Sequence, residues 1–225
     1  MDAVEFVKTH LALDCIGVDD LGYLVRLPGP CPAAIPRFYI AELTGSGNHV
    51  RFTRQGLLPA VAEKLLALPP GVALENRGAV RQVLAADAHC RTIRRNKSYL
   101  FPAALDPQDF AGVVRLGAAD RELVTQFDAR IDTSDCPVFA VIAGGRIVSA
   151  CTSSRETGQG AEAWVQTVPT RRRSGLGRRV VAAWGHYQLS QGKVPFYTLA
   201  WDNLASQALA ESLELIQFVS DVSYV

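Results

Sequence analysis

The stretch "TVPTRRRSGLGRRVV", Thr167 to Val181, gathers five arginines in nine residues around two glycines. Leu176, Val180, Trp184 and Tyr187 then recur at i, i+4, i+8 and i+11, the spacing of one helix face. The glycines therefore stand at a helix start, where backbone N–H groups lack partners and the helix dipole is positive. A glycine has no side chain, so a ligand can come close to those amides. Arginines at a positive helix end are unfavourable by themselves and make sense where an anion binds. The stretch thus predicts a pyrophosphate site. It is no nucleotide P-loop, because GxxxxGK followed by Ser or Thr does not occur. The dinucleotide pattern GxGxxG also fails, since its third glycine is replaced by Val180.

The rest of the chain narrows the partner. It has 225 residues, enough for one large domain or two small ones. Lys plus Arg number 23 and Asp plus Glu 22, which argues against a general nucleic-acid or membrane-surface binder. Basic character is local, so the expected partner is small and anionic. The start, "MDAVEFVKTHLAL", lacks the cationic region of a signal peptide, and no apolar run is long enough to span a bilayer. Cys15, Cys31, Cys90, Cys136 and Cys151 are odd in number and form no CxxC; free thiols in a cytoplasmic protein are the expectation. His10, His49, His89 and His186 are scattered without metal-ligand spacing, so no metal is expected.

The elements that must position the glycine-arginine turn read as a mixed-sheet α/β fold. In residues 1–105, an amphipathic helix leads to two strands around "TGSGN". Two helical stretches follow, the first stopping at Pro69-Pro70, and then a strand over "RTIRRNKSYLFP". "PAALDPQDF" is the best linker. Residues 106–225 give the order β-α-β-β-β-α-β-α-β. Gly144-Gly145 form a tight hairpin, and Asp202 can cap the last helix.

Arg172-Arg173-Ser174-Gly175-Leu176-Gly177 fits Q/R-x-x-G-x-G/A and resembles the acyl-CoA signature of the GNAT superfamily of N-acetyltransferases. Thr167-Val168-Pro169 before it and Asn203-Leu204-Ala205-Ser206 after the next strand are similar to that family's surroundings. The likeness covers roughly residues 110 to 225. It implies the GNAT fold, with an additional N-terminal α/β segment serving an acceptor site or a homodimer contact. It implies acetyl-CoA as co-substrate, with an acetyl group passing directly to an amine of a small molecule or peptide. Pantetheine would pair with the strand backbone around Gln166, Thr167 and Val168, and the pyrophosphate would sit on the amides from Arg173 to Arg178. Asn203 and Ser206 would touch the pantetheine or its phosphate end.

Amine acetylation needs a group to take a proton and one to protonate the leaving thiolate. Glu162, the one acid in "AEAWVQTV", is the candidate base; an exposed residue at a strand start is the competing reading. Where the family carries a tyrosine as acid, aligning Asn203 and Leu213 puts Ala210. Tyr197 and Tyr224 are the substitutes, each also readable as a packing aromatic. The missing tyrosine leaves an acyl-CoA-binding regulatory module as the alternative.

Overall fold

A computed structural model describes residues 2–29, 34–134 and 136–225. Asp2 opens α1 (Ala3–Ala12), its carboxylate accepting the Glu5 N–H at 2.9 Å and satisfying one of the helix's orphan donors. Strands β1 (Ile16–Val18) and β2 (Tyr23–Arg26) follow. Then β3 (Phe38–Leu43) and β4 (His49–Arg54) form the expected antiparallel pair. Helix α2 (Pro59–Ala67) ends just before the prolines, but Pro70 starts a further helix, α3 (Pro70–Glu75). The first helical position needs no N–H donor, so proline is tolerated there. Next come α4 (Arg77–Leu84) and β5 (Ile93–Leu100). The expected linker contains a short 3-10 turn, Pro107–Phe110.

The remainder follows the expected order: β6 (Val114–Leu116), α5 (Arg121–Phe127), β7 (Val138–Ala143), β8 (Arg146–Glu156), β9 (Gly160–Thr167), α6 (Leu176–Ser190), β10 (Val194–Ala200), α7 (Leu204–Ser212) and β11 (Ile216–Tyr224). Gly144 and Gly145 have φ of 59° and 72°, as a two-residue hairpin turn of this twist requires.

The chain forms two compact units. One holds the residues up to Ser98 with Leu199–Asp202 and Gln217–Val225; the other holds Tyr99–Thr198 and Asn203–Ile216. The last strand is therefore part of the first unit. There the strand order is β1-β2-β4-β3-β11-β5, and β11 pairs antiparallel with β3 over Val219–Tyr224. Phe38, Ile40, Val222 and Tyr224 bury one sheet face against Val61 and Leu65 of α2 and Val80 and Leu84 of α4. In the second unit the order is β10-β9-β8-β7-β6, with β10 parallel to β9 and the others antiparallel. Leu116, Val124, Val138, Ala140, Ile147 and Ala150 form a core beneath α5. Helix α6 buries Val180, Val181, Trp184 and Gln188, and the Trp184 indole N–H donates to Ser153 Oγ at 3.1 Å.

Cys90, Cys136 and Cys151 are free thiols. Cys15 departs from expectation: it is disulfide-bonded. Cys31 lies outside the described residues. Among the described residues no helix is long and apolar enough to cross a membrane, and no group of three or more His, Cys, Asp or Glu could hold a metal.

Candidate functional site

Strands β9 and β10 part company early. Their parallel ladder joins Val194, Pro195 and Phe196 to Gly160, Ala161 and Glu162 and then stops, while β9 continues to Thr167. On its other edge β9 stays paired with β8, Ser149 opposite Thr167. The Val168 N–H donates to the Val148 carbonyl at 3.0 Å. Backbone groups of an antiparallel strand alternate in direction, so the amides of Gln166 and Val168 face β8. Those of Val165 and Thr167 face the gap left by β10.

That gap opens into a cleft of about 1140 Å³. Gly175 stands at its end with φ 76° and ψ −3°, the N-cap of α6 without any side-chain cap. Arg173 is also left-handed, with φ 60°, a conformation that costs a non-glycine residue about 1–2 kcal/mol. Left-handed residues in a turn can direct backbone amides into an anion-binding concavity, and the first-turn amides of a helix have no intrahelical partner.

The five arginines divide. Arg178 is held in place: its Nε donates to the Ser212 carbonyl at 2.9 Å, and its guanidinium pairs with Asp109 at 2.9 Å. Arg179 donates to the Ala111 carbonyl. Arg171, Arg172 and Arg173 are exposed and line the cleft. Arg172 reaches back, its Nε donating to the Thr167 carbonyl at 3.3 Å. Arg130 and Arg178 complete a lining with five arginines and no acid among the described residues.

Helix α7 forms another wall. Its N-cap is Asn203 and not Asp202: Asn203 Oδ1 accepts the Ser206 N–H at 3.1 Å. Ser206 also hydrogen-bonds through its side chain to the Tyr197 phenol. Tyr197 lines the cleft one residue beyond the last β9–β10 pair. Burial pushes its hydroxyl above the usual tyrosine range, with the Ser206 bond opposing this in part.

Residues 136–218, which contain this cleft strand, its turn and both helices, match the family model for GNAT acetyltransferases. An acetyltransferase from the GNAT family of Colwellia psychrerythraea is 13% identical, with 93% of this chain and 79% of that one covered at a TM-score of 0.51, a likeness of fold. A GCN5-related N-acetyltransferase-like protein from Streptococcus suis is 16% identical, with 84% of both chains covered and a TM-score of 0.49. A GNAT-family protein from Novosphingobium aromaticivorans is 20% identical over 59% of this chain at a TM-score of 0.48. The chain spans 64% of that protein's length. No curated protein matches the chain.

Of the residues expected to hold the cofactor, Gln166, Thr167, Arg172, Arg173, Gly175, Leu176, Gly177, Arg178, Asn203 and Ser206 all line the cleft, whereas Val168 and Ser174 do not. Ser174 Oγ donates to the Arg171 carbonyl at 2.5 Å and so tightens the turn. Glu162 lies in β9 but outside the lining, 7% exposed and paired with Arg155 directly across on β8. It shares a register position with Phe196, so Glu162 and Tyr197 point to opposite faces of the sheet. Tyr224 belongs to the first unit, where its hydroxyl donates to the Ala73 carbonyl at 2.9 Å; burial pushes it up to about 12. Trp201 is there too, beneath the Arg95 and Lys97 cations at 3.7 and 4.6 Å from its ring centre. The sequence motifs do not mark Val165 and Arg130, which also line the cleft. Strand alternation from Thr167 would have found Val165. Nothing local marks Arg130, whose guanidinium lies 5.8 Å from the Trp164 ring centre.

Proposed function

We propose that the domain binds acetyl-CoA in this cleft and transfers the acetyl group to a primary amine of a small molecule or peptide by direct attack. One observation carries the reading. An open strand edge, able to pair with an amide-bearing arm, runs straight into a helix start ringed by arginines, with no acid among the described residues of the lining. A ligand that needs both is elongated, with peptide-like bonds in its shaft and phosphates at its end.

In this reading the α6 amides and Gly175 hold the pyrophosphate. Arg171, Arg172 and Arg173 neutralise the nucleotide's remaining charge, and the Val165 and Thr167 backbone holds pantetheine. Glu162 is the candidate base on the opposite sheet face, acting on an ammonium that approaches from there; its pairing with Arg155 competes with that role. Cysteine usage gives a cytoplasmic location no support, because Cys15 is bonded. The second reading, an acyl-CoA-binding module without turnover, draws on Ala210, which stands fully buried where the family places its tyrosine.

Release of free thiol from acetyl-CoA, followed with and without primary amines, decides between them. Amine-dependent release supports transfer. Binding of acetyl-CoA without release to any amine or to hydroxylamine would sink it.

A further inference from the structure

We infer that the acceptor seats in a second cavity, under α5 and beside the cleft, and that it is an α-amino acid with a large apolar side chain. This rests on the acetyl-transfer reading above and names its amine. Alternation along β9 puts Glu162, Trp164 and Gln166 on one sheet face. Val168 continues that face, because its N–H extends the ladder to Val148. Ala150, opposite Gln166, belongs to the core beneath α5, so this is the α5 face. Trp164 and Gln166 line the cleft, whereas Val168, about 7 Å beyond Gln166 along the strand, lines the cavity. Phe127 lines the cavity too, and Arg130, three residues on, lines the cleft. The cavity therefore adjoins the cleft on the sheet face that carries the candidate base.

Its shape and charge select the ligand. The cavity measures about 430 Å³, within the range of small-molecule sites. Leu123 and Phe127 from one face of α5, Ile147 from β8, and Val168 give it apolar walls. Gln126 stands at its exposed rim. Arg146, also exposed, is the one charged residue among the described residues of the lining. A polyamine would set cations against it. A carboxylate carried beside the amine would meet it in a charge-assisted bond, while an apolar side chain fills the space between α5 and the sheet. The amine is then left at the β9 edge near Gln166. Its nitrogen bonds the acetyl carbon and gives up a proton, and the C–S electron pair stays on sulfur, which takes one up as free CoA.

The test follows thiol release from acetyl-CoA by the full chain with L-phenylalanine, L-phenylalaninamide, glycine and spermidine. The kcat/KM for phenylalanine should exceed that for glycine at least about tenfold through burial of the phenyl group. It should exceed that for the amide about tenfold through the carboxylate. A peptide starting with phenylalanine lacks that carboxylate and should behave as the amide does. Arg146→Gln should lose about tenfold with phenylalanine and less than about twofold with the amide. Gln126→Trp, which narrows the rim, should lose about tenfold with phenylalanine and little with glycine. Both variants should keep the parent's acetyl-CoA affinity by calorimetry. Equal use of phenylalanine and its amide, or a preference for spermidine, would overturn the inference. So would a loss of acetyl-CoA affinity in Arg146→Gln, which would assign that arginine to the cofactor. If no amine releases thiol, the transfer reading falls by itself, and calorimetry of phenylalanine on the CoA-saturated chain decides the cavity. Binding that Arg146→Gln weakens about tenfold supports the amino-acid site, and no binding refutes it.

Discussion

Gly175 takes a left-handed turn at φ 76°, and in the proposed reading it also leaves clearance for an anion. A Cβ there would meet no atom of the protein within 4 Å. Gly175→Val is therefore expected to lose about 1–2 kcal/mol of stability through the backbone and to abolish acetyl-CoA binding, by calorimetry on the still-folded variant. Unchanged affinity would refute the pyrophosphate assignment. The exposed arginines allow a finer separation. Replacing Arg171, Arg172 and Arg173 together by Gln should weaken acetyl-CoA at least tenfold, each being a charge-assisted contact. Acetyl-pantetheine, which lacks the nucleotide, should be unaffected. Glycines and the helix register were legible in the sequence because they state local backbone requirements. The division of the arginines was not. Arg178 and Arg179 are engaged by Asp109, Ala111 and Ser212, partners distant in sequence that only folding brings near.

The element that presents the site is α6, and it is packed without slack. A Cβ on Gly185 would lie 2.4 Å from the Phe101 ring, which itself packs at a tilt of 59° against Trp184, ring centres 5.7 Å apart. Gly185→Ala should cost about 1–3 kcal/mol by overpacking, visible as a lower urea midpoint, and a midpoint at or above the parent's would show that the ring yields freely. The helix's far end joins a polar cluster. Burial alone would raise the Glu156 carboxyl. Hydrogen bonds from Lys193, Ser153 and Cys136 outweigh that and hold it below the ordinary carboxylate range. A carboxyl depressed in the folded state contributes stability at neutral pH. That contribution is lost as pH falls from the ordinary carboxylate value, about 4, toward the lower folded one. Glu156→Gln should thus lower the thermal midpoint at pH 7 and flatten its fall between about pH 5 and 3; a parallel downward shift at all pH would contradict this. Strands and helices with clear periodicity, β7 to β11 among them, could be read from the sequence. Strands β1 and β2, three and four residues long, and the single-turn α3 behind Pro70 could not, because so few residues establish no period.

At the scale of the molecule, the chain's end returns to its beginning. Strand β11 lies on β3 and closes the core of the first unit with Val222 and Tyr224. A linear reading from residue 106 onward cannot show that return, because β-pairing is non-local. Tyr224→Phe removes one buried hydrogen bond to Ala73 and should cost about 1 kcal/mol with acetyl-CoA turnover unchanged. A large loss of turnover in this variant would contradict the structural role given to Tyr224. The measurement that reaches the central claim most directly is the rise in thermal midpoint with acetyl-CoA compared with ADP at equal concentration. Stabilisation grows with affinity for the folded state, and only acetyl-CoA can engage both the arginine-ringed helix start and the open edge of β9. The account predicts a clearly larger rise with acetyl-CoA. Equal rises with both ligands would contradict it, leaving a phosphate site and no acyl-CoA cleft.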